Sequence, residues 1–188
     1  MRAFISIDAP TQVRNLIKTI QSEIDDAGIL KGSYIEPEKL HITLGFLGTV
    51  SQEKLDLIHA ILQDINCLSF MLTTGILQTD TQRSPHYLWL TFNSPELTLF
   101  AQHIRTALSC VIKFDKPFLA HMTLIRIKQV PDSHALNILL KKYAITTVCW
   151  PVDHFTLTLS HITHAGSKYT PYASYQLKTL ADSKQTQI

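Results

Sequence analysis

The feature that most restricts the folds open to this chain is a repeat. His41-Ile42-Thr43-Leu44 is echoed eighty positions later by His121-Met122-Thr123-Leu124, and each copy is followed by six residues ending in Val, at Val50 and Val130, and then by a helix start. The two copies align without a gap. Units of strand, proline and helix around Phe4 and Leu88 recur at an offset of about eighty-five. Self-similarity of this kind predicts two pseudo-symmetric α+β units packed face to face, with equivalent residues meeting near the axis.

Each tetrapeptide reads as β-strand. Neighbouring side chains of a strand point to opposite faces, so His41 shares a face with Thr43 and His121 shares one with Thr123, while Ile42, Leu44, Met122 and Leu124 anchor the other side. A His-x-Thr turns up by chance roughly once in a chain of this length. The third copy, His161-Ile162-Thr163, is not followed by Leu and is read as that chance match. If the first two faces meet across a groove, they supply two acid–base groups and two hydroxyl donors, enough to open a phosphate ester without a metal. Taken alone, each Thr is also just a good strand former.

The 188 residues suffice for one domain or two small units sharing an interface. A net charge of +2 suits local binding of a polyanion and not the coating of duplex DNA. Three cysteines, Cys67, Cys110 and Cys149, show no metal-ligand spacing and read as reduced thiols in a reducing cytoplasm. The N-terminal apolar run is too short for a signal peptide, and no run approaches membrane-spanning length.

The patterning predicts strands at 2–7, 41–47, 67–77 (kinked near Gly75), 86–92, 118–127, 145–150, 153–163 and 172–179, and helices at 10–27, from Ser51, 95–109 and 132–143. Gly28 and Gly32 mark the loop after the first helix. On that helix Val13, Leu16, Ile17, Ile20 and Ile24 form the apolar face. The domain is taken as 1–180, with repeat halves of roughly 1–85 and 86–180 and a polar tail at 181–188. His161 and His164 have a spacing that chelates metal on a helix, but the region reads as strand into turn and no metal is assigned. His59, His103 and His134 fall on predicted helices and are expected in solvent.

Leu40-His41-Ile42-Thr43-Leu44-Gly45-Phe46-Leu47-Gly48 and Phe118-Leu119-Ala120-His121-Met122-Thr123-Leu124-Ile125-Arg126 resemble the two motifs of the 2H phosphoesterases, and more narrowly of the RNA 2′,3′-cyclic phosphodiesterases of the 2′-5′ RNA ligase family. The N-terminal Arg2-Ala3-Phe4-Ile5 strand, Leu88-Trp89-Leu90, and Leu159-Ser160 with Gly166-Ser167-Lys168-Tyr169 extend the likeness over most of the chain. Two positions depart from the family pattern. Ala120 stands where a proline usually precedes the second His, and Gly45 stands where a basic or polar residue often follows the first motif. The resemblance implies a bilobal α+β fold with antiparallel sheets and the active site between the lobes. It also implies no cofactor and a cytoplasmic enzyme acting on RNA with a 2′,3′-cyclic phosphate end.

The resemblance also implies roles: His41 as proton donor to the leaving oxygen, His121 as proton acceptor from water, and Thr43 and Thr123 as donors to the non-bridging oxygens. From residue types alone the two histidines could be exchanged. Arg126 suits phosphate, yet strict alternation turns it away from His121, so it needs a bulge or a long reach. Phe46, Tyr34, Phe118 and Tyr169 are candidates to stack on a base, and Lys113, Lys116 and Lys168 to meet upstream phosphates. Two other readings stay open: a phosphodiesterase for a small cyclic nucleotide of the ADP-ribose cyclic phosphate type, and a non-catalytic RNA-binding module. Reversal to 2′-5′ ligation would use the same two histidines. A monomer with no membrane partner is expected.

Overall fold

A computed structural model describes residues 1–163 and 166–179 of the chain. His164 and the tail 181–188 lie outside the described residues. The elements run in order as β1 (Arg2–Asp8), α1 (Thr11–Asp26), β2 (Lys31–Tyr34), β3 (His41–Thr49), α2 (Gln52–Gln63), β4 (Phe70–Thr73), β5 (Leu77–Thr79), β6 (Tyr87–Thr91), α3 (Pro95–Ala107), β7 (His121–Gln129), α4 (Ser133–Lys142), β8 (Cys149–Val152), β9 (His154–Thr163) and β10 (Gly166–Gln176).

Eight of these strands form two antiparallel sheets, in the orders β10-β9-β1-β3 and β2-β7-β6-β5, and β4 pairs with β8. Both sheets draw strands from either side of residue 85, so they do not divide where the repeat halves do. β1 lies between β3 and the C-terminal β9, and β7 lies between β6 and the N-terminal β2. The helices cross over as well. α1 follows β1 but packs on β7, and α3 follows β6 but packs on β3.

The predicted helical face is the buried one: Val13, Ile17, Ile20 and Ile24 on α1, as are Leu55, Ile58 and Leu62 on α2. They join one continuous core, in which each such side chain contributes roughly 1.5–3 kcal/mol. Ser51, Ser94 and Asp132 cap their helices by accepting from the backbone N–H three residues on. Pro95 occupies the first turn of α3, whereas Pro10 sits one place earlier, at the N-cap of α1.

Three expectations are corrected. Gly32 lies in β2 and not in a loop. The kinked strand at 67–77 is two strands in different sheets, because the chain leaves β8 after Thr73 and joins β6 at Leu77. The last strand begins at Gly166 and ends at Gln176, earlier than the pattern suggests, because it pairs with β9 along nearly its whole length.

The motif strands share one burial pattern, half-buried and buried in turn, then two buried residues in succession: Leu44-Gly45 in β3 and Leu124-Ile125 in β7. The pairing explains it. β1 sets Ser6 against Thr43 and Ile5 against Gly45, which leaves Leu44 as an extra residue. β6 sets Trp89 against Thr123 and Leu88 against Ile125, which leaves Leu124. Each motif therefore ends in a β-bulge, and a bulge reverses the phase of every side chain beyond it.

Candidate active site

A cavity of about 840 Å³ takes one wall from each sheet, with His41 and Thr43 from β3 and His121 and Thr123 from β7. The motif strands touch each other. An open hollow of about 660 Å³ along α1, lined by Lys18, Ser22 and Glu23 among others, holds no imidazole and no motif residue.

The two histidines are held alike. His41 Nδ1 lies 2.7 Å from the Lys39 carbonyl and His121 Nδ1 lies 2.8 Å from the Leu119 carbonyl. A carbonyl only accepts, so each Nδ1 carries the hydrogen and donates it. That leaves Nε2 on each ring as the atom that can give or take a proton. Among the described residues neither Thr43 nor Thr123 commits its hydroxyl to a hydrogen bond.

Each imidazole also rests on an aromatic ring that the sequence reading did not single out. His41 stacks on Phe4 at 4.8 Å between centroids and meets the edge of Tyr169 at 5.6 Å. His121 packs on Trp89 at 4.6 Å. Phe4 and Trp89 are eighty-five positions apart, and that offset was the available signal.

The surroundings are not symmetric. Burial pushes the His41 pKa below the ordinary 6.5. The hydrogen bond to Lys39 and the charge of Asp8 oppose the shift, and charge on His121 adds to it.

The bulge at Leu124 settles the orientation of Arg126. With the phase reversed, its side chain lines the same cavity as His121 and Thr123. The bulge at Leu44 does the same for Phe46, whose side chain is 71% exposed at the rim. Tyr169 lines the cavity but is packed edge-on against Phe4 and His41. Phe118, Lys113 and Lys116 also line it.

Tyr34 does not. It is half-buried against the core on β2, opposite Ile125, and its hydroxyl points to the Leu30 carbonyl. Lys168 lies on β10 away from the lining. His59 is half-buried instead of solvated, with Nδ1 2.7 Å from the Tyr175 hydroxyl.

Gly45 has a structural consequence. A Cβ there would stand 2.7 Å from Cε1 of Phe114, so the missing side chain is what lets that ring lie against β3. Arg105 lies over the Phe114 ring, 4.5 Å from its centroid, and donates to the Lys116 carbonyl.

A family model described as LigT like phosphoesterase matches residues 7–78. A curated protein of Archaeoglobus fulgidus named RNA 2′,3′-cyclic phosphodiesterase is 33% identical over 132 residues, which cover 69% of this chain and 74% of that protein. One of the same name from Thermotoga maritima is 28% identical over 174 residues, covering 90% of this chain and 91% of its own. The crystal structure of Escherichia coli LigT in apo form superposes with a TM-score of 0.76 at 26% identity, covering 94% of this chain and 97% of that one.

Proposed function

This chain belongs to the LigT-like family of RNA 2′,3′-cyclic phosphodiesterases, and from that premise we propose that it hydrolyses 2′,3′-cyclic phosphate ends of RNA to 2′-phosphomonoesters. The observation that carries the reading is the matched pair of imidazoles, each tethered through Nδ1 to a carbonyl two residues earlier and each in the lining of one cavity. The two sheets act as two lobes with the RNA end between them.

Water attacks phosphorus and loses its proton to Nε2 of His121. The bond from phosphorus to O3′ breaks, and O3′ takes the proton from Nε2 of His41. Thr43 and Thr123 donate to the non-bridging oxygens, where charge grows. Arg126 offsets that charge from the same wall. In the free protein burial favours neutral His41. A phosphate anion against Nε2 favours the protonated ring, so substrate itself draws the acid into its working form.

We also take the protein to be a cytoplasmic monomer. Among the described residues no helix is long and apolar enough to cross a membrane.

The test is hydrolysis of a cyclic-ended oligoribonucleotide in EDTA, with the product identified as a 2′- or 3′-monophosphate. Activity is expected to survive chelation, to yield the 2′-phosphate, and to fall at least about 10³-fold in His41→Ala and His121→Ala. Full activity in both variants would overturn the assignment.

A further inference from the structure

We propose that the loop after α3 carries a second phosphate subsite, formed by Lys113 and Lys116 and braced by Arg105, for the phosphate on the 5′ oxygen of the terminal nucleoside. The inference rests on the reading that the cavity takes a nucleoside cyclic phosphate. The whole chain carries a net charge of only +2, yet three cations of this one loop and helix end line the cavity. The reacting phosphate does not need them, since Arg126 and the two imidazoles already serve it.

Lys39, the other lining cation, is held by Glu36 at 2.9 Å. Among the described residues Asp115 is the one carboxylate in the lining, and it approaches Lys113 at 3.6 Å. Both side chains are largely exposed, 91% and 76%, so that pair is weak and readily gives way to a phosphate. Lys116 has no carboxylate partner among the described residues.

The loop is also rigidly seated. Phe114 fills the space that Gly45 leaves, Arg105 lies over that ring, and Arg105 donates to the Lys116 carbonyl. The backbone that carries the two lysines is held in this way, so an anion has only their side chains to order and not the loop. With the cyclic phosphate at the imidazoles, the next anion of the ligand is on the 5′ oxygen of the same nucleoside. An RNA chain supplies it as the linking phosphate, and a small nucleotide supplies it as a 5′-phosphate.

Binding of products tests this without turnover. The probes are adenosine 2′-monophosphate, adenosine 2′,5′-bisphosphate, and the dinucleotide ApA ending in a 2′-phosphate, with either a natural or an uncharged methylphosphonate linkage. Ligands carrying the 5′-side charge are expected to bind about tenfold tighter than their uncharged counterparts. In Lys113→Ala/Lys116→Ala the preference should fall towards one, and the slope of log K against log salt should flatten by about 0.7 for each phosphate charge that is no longer neutralised. Lys113→Arg/Lys116→Arg should keep the preference, and melting curves report that each variant is folded.

A natural dinucleotide that exceeds the bisphosphate identifies RNA as the source, and equality shows that a 5′-phosphate suffices. Equal binding of the charged and uncharged ligands by the wild type, or a preference that persists in the folded double alanine variant, overturns the subsite. If cyclic ends are not hydrolysed while the preference stands, it is the reaction assignment that fails.

Discussion

Each motif histidine commits one ring nitrogen to the backbone two residues before it and keeps the other for chemistry. The threonines beside them have no such commitment among the described residues, which is what a donor to developing charge requires. Thr43→Ala and Thr123→Ala are each expected to lower kcat by about 10²-fold with a smaller change in KM, because the lost bond strengthens as the reaction proceeds. A change in KM alone would argue for simple substrate binding.

His41 carries a second expectation. Folding depresses its pKa, so the unfolded chain holds the proton more tightly than the native one. The stability this neutral ring contributes is present above the ordinary value of 6.5 and is lost as pH falls through the depressed one. Thermal melts from about pH 8 to about pH 5 should show a steeper decline for the wild type than for His41→Gln. Parallel curves would mean that the ring is not held neutral by burial.

At the scale of elements, the bulge after each motif matters most, because it places Arg126 and Phe46 in the same cavity as the motif histidines. The Leu124 bulge is supported from α1. The buried Gln21 donates through Nε2 to the carbonyls of Leu124 and Ile35, at 2.9 Å each, and Ile35 N donates to Leu124 O. Gln21→Leu removes two donors at once. It should destabilise the fold by about 1–3 kcal/mol, read as a fall in Tm of about 3–10 °C, and should raise KM as Arg126 loses its support. An unchanged Tm would show that the bulge holds itself.

The strand character of both motifs was legible from their alternation, and so was the sharing of a face by His41 with Thr43 and His121 with Thr123. That Arg126 would need a bulge or a long reach was legible too, but the presence and place of the bulges were not, because an extra residue shows only against a partner strand. Tyr34 was misread for a related reason. Its aromatic character was visible, but its place opposite Ile125 depends on β2 joining the distant β7.

For the whole molecule, the decisive property is interleaving. The N-terminal half supplies β2 to the sheet of β7, and the C-terminal half supplies β9 and β10 to the sheet of β1. Without β9 and β10, the sheet of residues 1–85 shrinks to the β1–β3 pair, too little to stand alone in water. Residues 1–85 expressed separately are therefore expected to be unfolded by circular dichroism, and the full chain to melt in one transition. A folded half would contradict that dependence. Glu23 of α1, bonded by Lys142 and Tyr143 at 2.7 and 2.8 Å, ties the two halves of the chain in the same way.

The order of residues by itself singled out His41, Thr43, His121 and Thr123 as the candidate site, which of them share a face, and that the unit occurs twice, because these follow from periods of two and from a repeat. The tertiary structure alone decided that the two faces line one cavity, that Arg126 joins them, that Phe4 and Trp89 lie under the imidazoles, and that Phe114 closes on Gly45. Those are long-range pairings, and a side chain's neighbours across a sheet or cavity are set by where distant strands lie, which no local period records.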